Sequence, residues 1–210
     1  HQFRLAAHVV GMAHHPGRKL RHDEILPFLS EIGTELSRRG LTADIYVAGG
    51  AAIAVRFGPG AREMTDDVDG AFRKNQVILD VASAIAGREG LQPDWVNDAF
   101  TGFLPGAEPD SRAEVHRMGG LTARFASDEF LLAMKMQAGR LKDIADTHLL
   151  IRRLGLHRSA DIAALTTRLY GDASVPAVDY DDMRFHAMRM LRGIRRADPT
   201  WPSDPGDAFT

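Results

Sequence analysis

The sequence predicts a mixed α/β (α+β) core followed by an all-helical C-terminal region, and three observations carry that reading. Before residue 127, short apolar runs of strand character alternate with amphipathic stretches of helical period. The segments AEVHRM and LTARFAS are separated by Gly119-Gly120, a hairpin signal. After Ser127 the apolar patterns are helical. A chain of 210 residues fits one core domain with a smaller appendage. The expected divisions are a core with an N-terminal helix over 1–127, a helical subdomain over 128–196 and a loose tail over 197–210.

Taken in order, His14-His15-Pro16-Gly17 reads as a turn, with a short helix before it. Residues 22–39 read as a helix: Ile25, Phe28, Leu29, Ile32 and Leu36 recur at helical spacing, acids come early, Arg38 and Arg39 come late, and Gly40 ends it. ADIYVAGG is a buried strand entering a tight turn at Gly49-Gly50, and AAIAVRF is a short helix after it. GPGARE is a loop, TDDVDGAF over 65–72 a second strand, and 75–87 another helix. Residues 91–111, with Pro93, Pro105 and Pro109, read as loop, with Trp95 a packing residue. Beyond the hairpin, Ser127 is a plausible N-cap. Helices are expected over 128–140, 141–154, 159–170 and 180–194, the first two nearly continuous.

Composition excludes several classes. Cysteine is absent, so disulfide frameworks, thiolate metal sites and cysteine nucleophiles are excluded. No apolar run reaches the roughly 18 residues of a membrane span. The N-terminal stretch lacks a signal-peptide layout, and a cytoplasmic protein with no membrane partner is the expectation. The net charge of −2 conceals a split. Residues 1–111 carry 11 basic and 15 acidic side chains, whereas residues 112–196 carry 15 and 10, a basic half that suits a polyanion.

The chemistry concentrates in the second strand. On a continuous strand Thr65, Asp67, Asp69 and Ala71 share one face, with the two carboxylates about 6–7 Å apart. Such a pair repels itself unless a cation sits between, and hard oxygen ligands favour Mg²⁺ or Mn²⁺. An exposed strand with solvated acids is the plainer alternative. Upstream, Gly49-Gly50 closes a buried strand and opens a helix, where backbone amides can cradle a phosphate. Other motifs fail. GPGARE lacks the Gly-Lys-Ser/Thr of a P-loop, and GGAAIA is not the Rossmann G-x-G-x-x-G. Ile78 occupies the twelfth position of a would-be EF-hand, and His22-Asp23 lacks the histidine cluster of a phosphohydrolase.

Strand, Gly-Gly turn, helix, loop and a strand bearing Asp67-Val68-Asp69 together resemble the DNA polymerase β-like nucleotidyltransferase superfamily. Within it, GGAAIAVRF…REMTDDVD and LLAMKMQAGRLKDIADTHLL are most similar to the AbiEii/MenT-like toxin nucleotidyltransferases, over roughly residues 43–154. The resemblance implies a mixed-sheet nucleotidyltransferase core using Mg²⁺ or Mn²⁺ on Asp67 and Asp69. It implies nucleotide contacts from Gly49, Gly50 and Thr65, with Lys135 on the triphosphate and Arg140 as a further contact. A third acid belongs on a later strand, and Glu114 is the candidate. A nucleoside triphosphate as substrate, a tRNA 3′ end as acceptor and a cognate antitoxin follow as implied partners. A small-molecule or protein acceptor, or a non-catalytic binding role, is the alternative. On spacing, Lys135, Gly139, Lys142 and Asp146 line one helical stripe beside Phe130, Met134, Leu141, Ala145 and Leu149. A Lys142–Asp146 ion pair and a surface Lys135 are equally compatible with that stripe.

Overall fold

The computed structural model describes residues 17–72, 76–98, 101–171 and 177–205. The expected turn at His14–Gly17 and the helix before it lie outside them, apart from Gly17. Leu20–Arg21 forms a two-residue strand, β1, that runs into helix α1, His22–Arg38. Glu24 starts the helix by accepting from the Arg21 amide at 2.9 Å. Its apolar stripe (Ile25, Phe28, Leu29, Ile32, Leu36) is buried, each side chain contributing about 1.5–3 kcal/mol of transfer free energy. Gly33 has no alternative residue, because a Cβ there would lie 1.7 Å from the Met118 carbonyl oxygen.

Strand β2, Ala43–Val47, leads into α2, Gly49–Phe57, whose Ala51, Ala52, Ile53 and Ala54 are fully buried. The strand expected over 65–72 is broken. Met64–Thr65 forms β3 and pairs with β1, the chain bends at Asp66 and leaves Asp67 outside any strand, and Val68–Phe72 forms β4 in the main sheet. Helix α3, Gln76–Glu89, packs on α1. The stretch read as loop contains a two-residue strand, β5, Val96–Asn97, too short for any periodicity to reveal. Trp95 beside it is fully buried, donates Nε1–H to the Ala82 carbonyl at 2.8 Å and meets Phe28 edge-on.

The expected hairpin forms as β6, Glu114–Met118, and β7, Leu121–Phe125. The five-stranded sheet has order β5-β4-β2-β7-β6 and is mixed: β2 runs antiparallel to β4 and parallel to β7. Ser127 caps α4, Asp128–Ala138. Gly139, in the left-handed region at φ +59, ends α4, and a single 3-10 turn, Leu141–Asp143, separates it from α5, Ile144–Arg153. The two stretches are therefore not one helix, and Leu141 is 80% exposed rather than part of an apolar stripe. Helices α6, Ser159–Tyr170, and α7, Tyr180–Ala197, complete the C-terminal region.

The buried side chains form one cluster that runs from Leu20 to Ile194, across residue 127 without a seam. The segment read as a loose tail is tied down over 198–205. Asp204 is buried and accepts from the Ser159 amide at 2.9 Å, capping α6, and the Arg152 guanidinium covers the Trp201 ring. Among the described residues no helix is long and apolar enough to cross a membrane.

Candidate nucleotide and metal site

The site begins at the turn between β2 and α2. The Ala48 amide donates to the Asp69 carbonyl at 3.0 Å, which holds the turn against β4. Gly49 sits at φ +64, and a Cβ there would lie 2.7 Å from Asp69 Oδ2. Conformation and space both demand glycine. At Gly50 a Cβ would lie 2.6 Å from Thr65 Oγ1. The turn therefore rests directly on β3 and β4, which flank Asp66 and Asp67, and the positive end of α2 adjoins the Asp69 carboxylate. Thr65 is buried beneath Gly50, and its hydroxyl donates to the Asp67 carbonyl at 3.2 Å. Because the strand breaks after it, Thr65 shares no continuous face with Asp67 and Asp69, and it braces the turn instead of lining an open surface.

Asp67 and Asp69 are half-buried. Burial raises the Asp67 carboxyl above its usual range, and the neighbouring charges of Asp66 and Asp94 add to that. The Asn97 amide, donating to Oδ2 at 3.2 Å, opposes it, as does Lys142. Burial likewise raises Asp69, reinforced by Asp67 and opposed by Arg140, Lys142 and Lys135. Neither carboxylate has an ion pair among the described residues. Asn97 was not legible from sequence: the pairing of β5 with β4 sets it opposite Asp69, and nothing local marks the position.

In front of the turn lies a cavity of about 410 Å³. Its sheet side is Ala48, Gly49 and Asp69, and its other side is α4 with the turn that follows, including Lys135 and Arg140. Lys135 is not a surface residue. It is 5% exposed, with Nζ at 2.7 Å from Asp143 Oδ1 and 2.8 Å from Asp146 Oδ2. Arg62 reaches Asp146 at 2.5 Å and Arg140 reaches Asp143 at 2.7 Å. Burial alone raises Asp143, but Lys135 and Arg140 outweigh it and hold the carboxyl below its ordinary value. The Lys142–Asp146 pair suggested by spacing is replaced by this network, because Lys142 is exposed in the 3-10 turn outside α5 whereas Asp146 is buried within it. Its charge instead reaches Asp67 and Asp69.

Glu114 does not join the pair. It lies on the edge strand β6, in register with Phe125, Val47 and Gly70 in turn, so three strand spacings of roughly 14 Å separate it from β4. Its half-exposed carboxylate meets His116 Nε2 at 2.7 Å and Arg56 at 3.8 Å. Among the described residues no group of three His, Asp or Glu side chains is placed to hold a metal ion. The arrangement thus sets the Asp69 carboxylate, a glycine turn, the buried Lys135 and Arg140 around one cavity, with Asp67 beside Asp69. The chain matches no family model, no curated protein and no solved structure.

Proposed function

We propose that the protein is a divalent-metal-dependent nucleotidyltransferase that binds a nucleoside triphosphate between the Gly49-Gly50 turn and α4. The observation that carries this reading is convergence: a glycine turn, the unpaired Asp69 carboxylate and the Lys135 ammonium line one cavity. Backbone amides of Gly49 and Gly50 receive phosphate oxygens. Lys135, fixed in direction by Asp143 and Asp146, lines the same space with Arg140, and the charge of Lys142 reaches Asp67 and Asp69. Asp67 and Asp69 are the residues to hold Mg²⁺ or Mn²⁺, and their fit lies in two half-buried neighbouring carboxyls with no ion pair among the described residues. A divalent ion held by Asp67 and Asp69 would supply charge neutralisation to the phosphates while an acceptor hydroxyl displaces pyrophosphate.

A tRNA 3′ end is the acceptor we favour, on the sequence resemblance and on the excess of 15 basic over 10 acidic residues in 112–196. The same resemblance motivates a cognate antitoxin as partner. The deciding experiment incubates the protein with each labelled triphosphate, Mg²⁺ and total tRNA. Label on tRNA that disappears in Asp69→Ala supports the reading, and label on protein or a small molecule would redirect the acceptor. No transfer together with no Mg²⁺-dependent triphosphate binding refutes it.

A second reading rests on Asn97. The neutral amide on the strand beside Asp67 and Asp69, with no third carboxylate joining the pair among the described residues, favours a protein that binds nucleotide without transferring it. Triphosphate binding in the absence of transfer to any acceptor is its signature.

A further inference from the structure

The cavity has a second end that the phosphate-binding groups leave unused. Successive helical residues turn by about 100°, so Lys135 and Gln137 stand about 160° apart on α4, and Leu131, Ala138 and Met134 fill the arc between them. All five line the same cavity. The wall therefore changes character across the width of the helix, which is about 10–12 Å with side chains. It is cationic at Lys135 beside Asp69 and Gly49, apolar through Leu131, Ala138 and Met134, and polar but uncharged at Gln137.

Gln137 is half-buried, and its carboxamide has no hydrogen-bond partner among the described residues. The cationic lining residues differ: Lys135 and Arg140 are both engaged with Asp143. A free carboxamide presents a donor and an acceptor side by side, the pattern that matches the hydrogen-bonding edge of a nucleobase. Next to it, the flexible thioether of Met134 suits the face of a planar ring. An apolar wall ending in a few directed polar groups is the common build of a small-molecule site, and about 410 Å³ is within the usual range for one.

We propose that the Leu131–Met134–Gln137 end of the cavity is a nucleobase subsite and that Gln137 selects the base. The proposal rests on the nucleotide reading above and adds to it the determinant of which triphosphate is taken. Phosphates lie toward Gly49 and Lys135, the base lies over Leu131, Ala138 and Met134, and the Gln137 carboxamide pairs with the exocyclic group and adjacent ring nitrogen. An amide in one orientation pairs with the amino bases, cytosine and adenine; flipped, it pairs with the oxo bases, uracil and guanine. The helix fixes the separation of Gln137 from Lys135, so the amide reaches the edge of one ring size better than the other, and a preference results.

The test measures Mg²⁺-dependent binding of ATP, CTP, GTP, UTP and inorganic tripolyphosphate to the full chain and to Gln137→Leu and Gln137→Glu. The wild type is expected to spread its affinities by roughly tenfold between best and worst base, the scale of one or two hydrogen bonds. Gln137→Leu should collapse that spread to about twofold while tripolyphosphate affinity stays constant. Gln137→Glu, which accepts but does not donate, should weaken ATP, CTP and UTP alike, each of which loses one bond, and favour GTP, whose edge offers two adjacent donors. A flat wild-type profile, or a spread unchanged in Gln137→Leu, overturns the subsite while leaving the nucleotide reading intact. Loss of tripolyphosphate binding in step with triphosphate binding also overturns it, since Gln137 would then act on the phosphate end. A wild type that binds none of the four triphosphates overturns both.

Discussion

Asp67 and Asp69 are two residues apart and Asp143 and Asp146 are three, both pairs are withdrawn from water, and they are treated in opposite ways. The second pair receives Lys135, Arg140 and Arg62 at 2.5–2.8 Å and is neutralised within the fold. Asp143 is consequently held below the ordinary carboxylate range. The first pair receives one amide, from Asn97, and both of its carboxyls are pushed up by burial. The chain had cations to spare: Lys142 is exposed, acts on Asp67 and Asp69 from a distance and forms no ion pair with either. The contrast separates acids that hold the fold together from acids left for something that arrives from outside.

The sharpest way to break the contrast is to remove the lysine. Lys135→Met leaves Asp143 and Asp146 buried with only Arg140 and Arg62, and we expect a loss of about 3–5 kcal/mol, read by urea denaturation. A loss under about 1 kcal/mol would show that the network is solvated and that the two pairs are alike. Gly49→Ala comes next. Its φ of +64 costs an L-residue about 1–2 kcal/mol, and the new Cβ meets Asp69 Oδ2 at 2.7 Å. Triphosphate binding should fall with it, whereas Gly60→Ala, with open space around it, should change neither.

Acid then distinguishes the pairs without mutation. The folded-state carboxyl of Asp143 is depressed, so its stabilising contribution is complete above the unfolded value near pH 4 and is lost as pH falls through the lower folded value. Urea midpoints should decline through this range in the wild type and decline less in Lys135→Met, where the depression has lost its main partner. An equal acid dependence in both would assign the decline to other carboxylates.

Much of this arrangement was legible before any coordinates, and the omissions have physical causes. Elements longer than about nine residues announced themselves by period: α1, α6 and α7 begin and end within a few residues of their expected limits. The Gly-Gly turn and the hairpin announced themselves by turn chemistry. What failed was short or non-local. Two residues of β5 carry no period, so Asn97 was invisible until the sheet placed it beside Asp69. The break at Asp66-Asp67 looks like strand because both flanks are strand. Gly139 was read as a residue within a helical stripe, but a left-handed C-cap there ends α4, so Lys142 falls in the 3-10 turn and Asp146 in α5, where it meets Lys135 and Arg62. Glu114 is an acid on a later strand, as the resemblance asks, and only the strand order, β5-β4-β2-β7-β6, reveals its distance from β4.

The smallest effect tests the unpaired acids directly. Removing one charge from a self-repelling pair should stabilise, and removing one from a neutralised pair should destabilise. Asp69→Asn is expected to raise stability by roughly 0.5 kcal/mol, the scale of a like-charge contact, or about 1–2 °C in Tm for a chain of this size. Asp143→Asn should lower Tm instead, because Lys135 and Arg140 lose their shared partner. Added Mg²⁺ should raise the Tm of the wild type and leave Asp69→Asn where it stands, since a ligand that binds only the folded state stabilises it by mass action. If Asp69→Asn lowers Tm as Asp143→Asn does, Asp69 belongs to the fold's own ion pairing. If it raises Tm but Mg²⁺ affects both proteins equally, the repulsion is real and the ion binds elsewhere.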